Sequence, residues 1–222
     1  FYTYINDSLY FASEIKAFYS LPSWRSTVNR DSLNLYFRYG YIPTPFTIWT
    51  DVKKVPPASY LLFGLDHVSK PSIHTYWSIP PNPSIKPKTS IAEVRSLLVD
   101  TIREQAISDV PIGTFLSGGI DSSLVTSIFS SLSPVPIHTY TIGFHESSYD
   151  ESLYASSIAM YLNTHHSMHL LDASSAYSIL ETMPLIFDEP FGDISQIASY
   201  MIAHHASKDV KVCLTGDAGD EL

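Results

Sequence analysis

The sequence predicts an α/β protein: a doubly wound parallel sheet in the second part, preceded by a first part of α+β character. Three observations carry this. From Ile112 onward, short apolar runs alternate with segments of helical periodicity, the pattern of βαβ units. Between Lys70 and Lys88 the chain contains Pro71, Pro80, Pro81, Pro83 and Pro87, too many for regular elements of any length, so this stretch reads as a linker. Before it, aromatic and aliphatic runs are separated by mixed structure. With 45% hydrophobic and 16% charged residues among 222, the chain has enough apolar material to fold around cores.

In order along the chain, Phe1 to Ile5 reads as a strand, as do Leu9 to Ala12 and Tyr60 to Phe63. Between them, Asp31 is expected to cap a helix carrying Leu33, Leu35, Tyr36 and Tyr39, which ends at Gly40 and runs into Ile42-Pro43-Thr44-Pro45. The predicted division is a first domain over 1–66, a linker over 67–88 and a second domain over 89–222. Ser90-Ile91-Ala92-Glu93 is a capping box opening a helix with Ile91, Val94, Leu98 and Ile102 at helical spacing. Strands are then expected at Ile112 to Leu116, Ile137 to Phe144, His166 to Leu171 and Val210 to Leu214. Helices are expected at Ser123 to Ser130, Glu151 to Leu162, after Asp172, and after Ser195 with Ile197, Tyr200 and Met201 on one face.

Bulk composition narrows the chemistry. Thirteen Lys plus Arg against 22 Asp plus Glu give a net charge of −9, a poor match to a nucleic-acid backbone, so no nucleic-acid partner is expected. Cys213 is the single cysteine, which leaves no disulfide framework or Cys-x-x-Cys pair and suits a reducing compartment. No run of 18 or more apolar residues is present, so no membrane partner is expected and the cytoplasm is the expected location. Asn6-Asp7-Ser8 fits a glycosylation sequon but reads as an ordinary turn. Phe1 stands in a strand with nothing before it and Asp220-Glu221-Leu222 follow a glycine-rich stretch, so the chain reads as an internal piece of a longer polypeptide.

Strand Ile112 to Leu116 runs directly into Ser117-Gly118-Gly119-Ile120-Asp121-Ser122-Ser123 and then into a helix. Two glycines let the backbone turn tightly and expose successive N–H groups, the helix start adds partial positive charge, and the serine hydroxyls add donors: this is a phosphate site. The Walker pattern and the Rossmann fingerprint are both absent. Asp121 inside an anion-binding loop would repel phosphate unless a cation lies between, which calls for Mg2+ and a second acid. Val212 to Leu214 leads into Thr215-Gly216-Asp217-Ala218-Gly219-Asp220-Glu221, and parallel strands of a doubly wound sheet share one crevice at their carboxyl ends, so Asp121 and Asp220 are the expected metal ligands.

Ser117 to Ser123 resembles the pyrophosphate loop of the ATP-pyrophosphatase superfamily, with its adenine nucleotide alpha-hydrolase-like fold. Together with Thr215 to Glu221, it makes the chain resemble the glutamine-dependent asparagine synthetase family. Thr139 to Phe144, Tyr149-Asp150-Glu151 and Asp188-Glu189-Pro190-Phe191 also look like segments of that family's synthetase domain. Phe11 to Lys16 and Gly40 to Pro43 look like the closing portion of its class II glutamine amidotransferase (Ntn-type) domain. That family uses an amino-terminal cysteine to hydrolyse glutamine; Cys213 cannot be it, so this chain alone is expected to lack glutaminase activity.

The resemblance implies ATP and Mg2+ as cofactors, with adenine and ribose against the backbone near Leu116 and Ile142 and against Thr215 and Gly216. It places the phosphates on Ser117, Gly118, Gly119, Asp121, Ser122 and Ser123, and makes Asp121 and Asp217 the catalytic residues, Asp217 near the reacting carboxylate. The partners implied are aspartate or a similar carboxylate and ammonia from glutamine, and a homodimer is compatible. Thr215 and Ala218 stand where the family more often has Ser and Gly. Alternatives are a relative acting on a sugar, β-lactam or lasso-peptide carboxylate, a tRNA-thiolating or NAD-forming enzyme of the wider superfamily, and a non-catalytic nucleotide-binding remnant. His165, His166 and His169 would alternate across a strand rather than form a metal site, and the tyrosines and phenylalanines read as core and strand residues. Asp188, Glu189 and Asp193 read equally as substrate- or magnesium-orienting acids and as caps and turn residues.

Overall fold

The structure, a computed structural model, describes residues 1–6, 8–64, 67–79, 90–146, 150–217 and 219, with the backbone alone at 67–70 and at residue 173. The chain forms two compact units: Phe1–Ser84 with Glu181–Ile194, and Ile85–Leu180 with Ser195–Leu222. Residues 181–194, expected within the second domain, therefore pack with the first. Their anchors are long-range contacts that local sequence does not announce.

In the first unit, β1 (Tyr2–Ile5) pairs antiparallel with β2 (Ser8–Phe11), Tyr2 opposite Phe11 and Ile5 opposite Ser8. A 3-10 helix at Ile15–Ser20 turns Ile15 and Phe18 into a core completed by Val52. Helix α1 (Arg30–Tyr39) is capped by Asn29, whose side-chain oxygen accepts from the N–H groups of Asp31 and Ser32 at 3.0 and 3.1 Å. The expected cap, Asp31, lies instead in the first turn, where its charge complements the helix dipole. The helix stops at Gly40 as expected, with φ 75°. Strand β3 (Val52–Lys53) pairs with the other edge of β1, and β4 (Ser59–Gly64) forms an antiparallel pair with β5 (His67–Thr75).

Strand β5 corrects the linker expectation, since 67–75 is regular structure despite Pro71. The proline falls where the register shifts, between the pairs Leu62 with Ser72 and Gly64 with His67, so its missing N–H breaks no regular rung. Residues 80–89, with the remaining prolines, lie outside the described residues.

The second unit opens with α2 (Ile91–Gln105), where the Ser90–Glu93 capping box forms as expected. Then follow β6 (Ile112–Phe115), α3 (Ile120–Leu132), β7 (His138–Phe144), α4 (Ser152–Tyr161), β8 (His165–Leu171) and α5 (Ala173–Leu180). The chain passes through the short α6 (Met183–Ile186) of the first unit and returns as α7 (Gln196–Ala206) and β9 (Val212–Leu214). The sheet order is β8-β7-β6-β9, every pair parallel. The strand order thus runs outward from β6 to one side and then reverses, placing the switch point between β6 and β9.

Helices cover both faces of this sheet. On the α3 and α4 face the buried strand residues include Thr114, Thr139 and Thr141, and each hydroxyl is satisfied: Thr126 Oγ1 donates to Thr114 Oγ1 at 3.0 Å, Thr139 pairs with Thr164 and His166, and Thr141 donates to the Leu116 carbonyl. Pairing removes the cost of burying those groups and fixes the register. Ile102, Phe129, Ile137 and Leu214 join α2 and α3 to the sheet on the same side. On the other face, Tyr140, Ala206 and Val210 pack α7 down, with Tyr140 donating its hydroxyl to Asp209 at 3.2 Å. Burial pushes the Tyr140 hydroxyl up, reinforced by Asp209, and burial pushes the Cys213 thiol up to about 11.

The histidines split as expected, His166 toward α4 and His169 toward α7, where it stacks on His205 with ring centroids 5.3 Å apart. His205 shares a 2.8 Å hydrogen bond with Ser167, but its Nδ1 is buried without a partner. Desolvation lowers the pKa of both His166 and His205, the latter also through His169 and Lys208. A base lowered on folding binds fewer protons folded than unfolded, so its stability contribution is intact above the unfolded value of about 6.5 and declines as pH falls below it. Urea unfolding is therefore expected to show a lower midpoint at pH 5.5 than at pH 7.5, and the difference should shrink in His205→Asn.

Candidate functional site

The carboxyl ends of β6 and β9 open into a crevice of about 480 Å3, within the roughly 300–1,000 Å3 of small-ligand sites. Its floor is the turn after β6. Gly118 takes φ 89°, a region open to glycine, and a Cβ there would stand 2.9 Å from the Ala155 N–H nitrogen at the start of α4. Helix α3 begins at Ile120 with Gly119 as N-cap, three residues earlier than the periodicity predicts, so Asp121, Ser122 and Ser123 lie in its first turn. Gly119 has no side chain to cap the helix, so no side-chain oxygen closes the positive end of α3.

The serines are hydrogen-bonded within the loop. Ser122 Oγ accepts from the Ser117 N–H at 3.2 Å, shares a 2.9 Å hydrogen bond with Ser117 Oγ and reaches the Gly119 carbonyl at 3.3 Å. Ser123 donates to the same carbonyl, and the Gly119 N–H donates to Ser117 Oγ at 3.3 Å. The hydroxyls thus knit the loop into shape.

The turn after β9 meets this loop directly. A Cβ on Gly216 would lie 2.5 Å from the Ser122 nitrogen, and one on Gly219 would lie 2.6 Å from the Asp121 carboxyl carbon. The backbone of the second turn therefore rests against the first turn of α3 at a distance only glycine allows. Thr215 and Asp217 flank the contact, line the crevice and are exposed.

Of the predicted site residues, Leu116, Ser117, Gly119, Asp121, Ser122, Ile142, Thr215, Gly216 and Asp217 all line the crevice. Gly118 and Ser123 do not; they shape the loop from behind. Leu116 is 1% exposed and its side chain packs on Ala155 and Ala159, away from solvent. Ala218 and Asp220 lie outside the described residues, and among those described no group of three or more metal-ligating side chains gathers.

Sequence reasoning missed the far wall. Ala198, Ser199 and Ile202 on α7, with Phe144 and Glu151, complete the lining. Small residues at helical spacing carry no chemical signature, so no local signal marks them. Asp150 was noticed but given no role. It accepts from Ser152 Oγ at 3.0 Å and from the backbone N–H groups of Ser152 and Phe144 at 3.1 and 3.3 Å, tying the end of β7 to the start of α4. Those bonds, Ser152 first, hold its carboxyl below the usual range.

Residues 93–222 match the sequence profile of the family described as Asparagine synthase. The chain belongs to the asparagine synthase family. Residues 1–77 match a second profile, Glutamine amidotransferase domain. The chain is 35% identical over 227 residues to the putative asparagine synthetase (glutamine-hydrolyzing) 2 of Methanocaldococcus jannaschii, covering 100% of this chain and 44% of that protein. It is 31% identical over 223 residues to asparagine synthetase (glutamine-hydrolyzing) 1 of Bacillus subtilis, covering 100% of this chain and 35% of that protein. The chain thus spans less than half the length of these relatives. As in the sequence-based expectation, the asparagine synthase portion carries a parallel sheet with helices on both faces. Among the described residues no helix is long and apolar enough to cross a membrane.

The contact at Gly216 can be tested within the fold. Gly216→Ala is expected to destabilise the protein by about 1–3 kcal/mol, because its Cβ meets backbone that cannot give way. Gly119→Ala, whose Cβ would stand 3.4 Å from Ser117 Oγ with no backbone in the way, is expected to lower the denaturation midpoint less than Gly216→Ala, by the loss of a favourable N-cap alone.

Proposed function

We propose that the protein containing this chain is an ATP-dependent ligase that adenylates a carboxylate, L-aspartate in the first instance, and amidates it with ammonia drawn from glutamine. The observation that carries the reading is the contact of the two glycine turns: Gly216 against Ser122 and Gly219 against Asp121 bring both family motifs to one crevice. The relatives named above are asparagine synthetases (glutamine-hydrolyzing), which supports the same reaction class.

In this reading the triphosphate lies over the start of α3, whose N–H groups and dipole oppose its charge. Ser117 and Ser122 keep the loop in the one conformation that presents those groups. Adenine and ribose lie along the backbone of Leu116, Ile142, Thr215 and Gly216. The substrate carboxylate attacks the α-phosphorus, pyrophosphate departs, and ammonia then displaces AMP from the acyl carbon. Charge grows on the departing pyrophosphate, so a preorganised set of donors lowers the barrier without a general base.

Two carboxylates that line one crevice, Asp121 and Asp217, are oxygen donors of the kind a hard dication takes. Magnesium held by Asp121, and by Asp220 in this proposal, would neutralise phosphate charge. Asp217, exposed beside Thr215, stands near the reacting carboxylate. In this reading the glutamine amidotransferase segment runs through β5, the synthetase segment opens with α2, and the whole protein works as a cytoplasmic homodimer.

ATP–pyrophosphate exchange by the full-length protein tests this. Aspartate-dependent exchange is expected, falling by about 10²–10³ in Asp121→Asn as for loss of one preorganised electrostatic group. No exchange with any carboxylate, while the protein still binds ATP, would sink the ligase reading in favour of simple nucleotide binding. Stimulation by a sugar or peptide carboxylate in place of aspartate would move the substrate while keeping the chemistry.

A further inference from the structure

The crevice in the second unit has two chemically different ends. The sheet order β8-β7-β6-β9 sets the ends of β7 and β9 on opposite sides of β6. Thr215, Gly216 and Asp217 close the β9 side against the first turn of α3, where the triphosphate lies in the ligase reading. Toward β7 the lining turns apolar, with Ile142 and Phe144 of the strand and Ala198 and Ile202 of α7. Alternation along β7 explains this. Thr141 donates to the Leu116 carbonyl, and a Cβ on Gly143 would stand 3.2 Å from Asp150 and 3.3 Å from Ser152, so both residues face the α4 side. Ile142 and Phe144 therefore project from the opposite face, where Tyr140 packs against α7. Ala198 and Ser199 are small, which leaves room for a flat ring between that helix and the strand end.

One carboxylate belongs to this end. Asp150 is bonded to the Phe144 N–H, which holds its neighbour Glu151 at the end of β7. The two acids differ in what they touch. Asp150 commits its oxygens to Ser152 and Phe144, whereas Glu151 makes no capping bond to α4 and has no hydrogen bond or ion pair among the described residues. Glu151 is exposed and lines the crevice, and among the described residues no Lys, Arg or His lines it too. A carboxylate accepts hydrogen bonds and donates none. It therefore sorts bases by the edge turned toward it: the 6-amino group of adenine donates, while the 6-oxo group of hypoxanthine or guanine sets one acceptor against another.

We propose that Glu151 determines base specificity, its carboxylate accepting from the 6-amino group of adenine at the β7 end of the crevice, so that the site takes 6-amino purine triphosphates and disfavours 6-oxo ones. This rests on the ATP reading and adds to it the residue that reads the base. Two acceptors face to face cost more than a missing contact, so a 6-oxo purine is rejected more strongly than a purine with hydrogen at that position.

The test compares full-length wild type, Glu151→Ala and Glu151→Gln with ATP, purine riboside triphosphate and inosine triphosphate. It reads kcat/KM in aspartate-dependent pyrophosphate exchange and Kd by calorimetry. Wild type is expected to prefer the three nucleotides in that order. Glu151→Ala should lower the preference for ATP over inosine triphosphate by about 5- to 20-fold, the scale of one charge-assisted hydrogen bond open to water, through KM and with kcat for ATP little changed. Glu151→Gln, whose amide can accept from an amino group or donate to a carbonyl, should bind both nucleotides and hold ATP better than Glu151→Ala does. Melting temperatures should match wild type. An unchanged ATP-to-inosine-triphosphate ratio in Glu151→Ala overturns the proposal, as does an equal loss for all three nucleotides or a rise in KM for aspartate alone. If wild type binds ATP but shows no exchange with any carboxylate, the ligase reading fails while the Kd ratios still decide the role of Glu151; if it binds no ATP, both fall.

Discussion

The approach of Gly216 to the first turn of α3 is the constraint around which the second unit is organised. Two parallel neighbours, β6 and β9, end side by side at the point where the strand order reverses, and their following turns must occupy the same small space. They do so because one turn offers backbone without a Cβ and the other offers the open start of a helix. What results is a crevice with a helix start on its floor and Asp121, Glu151 and Asp217 in its lining.

Polar groups buried beneath that crevice stiffen it. Thr114, Thr139 and Thr141 face α3 and α4 where aliphatic residues would be ordinary, and each is hydrogen-bonded across elements. Such bonds add little net stability, since water would satisfy the same groups in the unfolded chain, but they penalise any misregister heavily. Thr141 bonded to the Leu116 carbonyl, and the Leu116 N–H bonded to the Tyr140 carbonyl, fix the strand end from which the Ser117 loop departs. The Asp150 bridge does the same for the end of β7.

Much of this was legible from sequence because it is local. The capping box at Ser90, the stop at Gly40 and the strand–turn–helix passage through Ser117 each involve groups within a few residues of one another. The errors were local too. Asn29 displaced Asp31 as a cap, two polar residues two positions apart being equivalent by type. Helix α3 started early because Gly119 could serve as its N-cap, and β5 survived Pro71 because a register shift absorbed it.

By itself the sequence determined the alternation of strands and helices and the two glycine turns, since these follow from periodicity and from backbone conformations that few residue types permit, while most of the crevice lining it named came through the family resemblance of its motifs. Tertiary structure decided which of those residues line the crevice and which shape the loop from behind, that Ala198, Ser199 and Ile202 of α7 form the far wall, and that Asp188 and Glu189 bind backbone in the first unit. The physical reason is range: the Asp188 carboxylate meets N–H groups 172 and 173 residues away, and no neighbourhood rule reads a partner that only folding brings close.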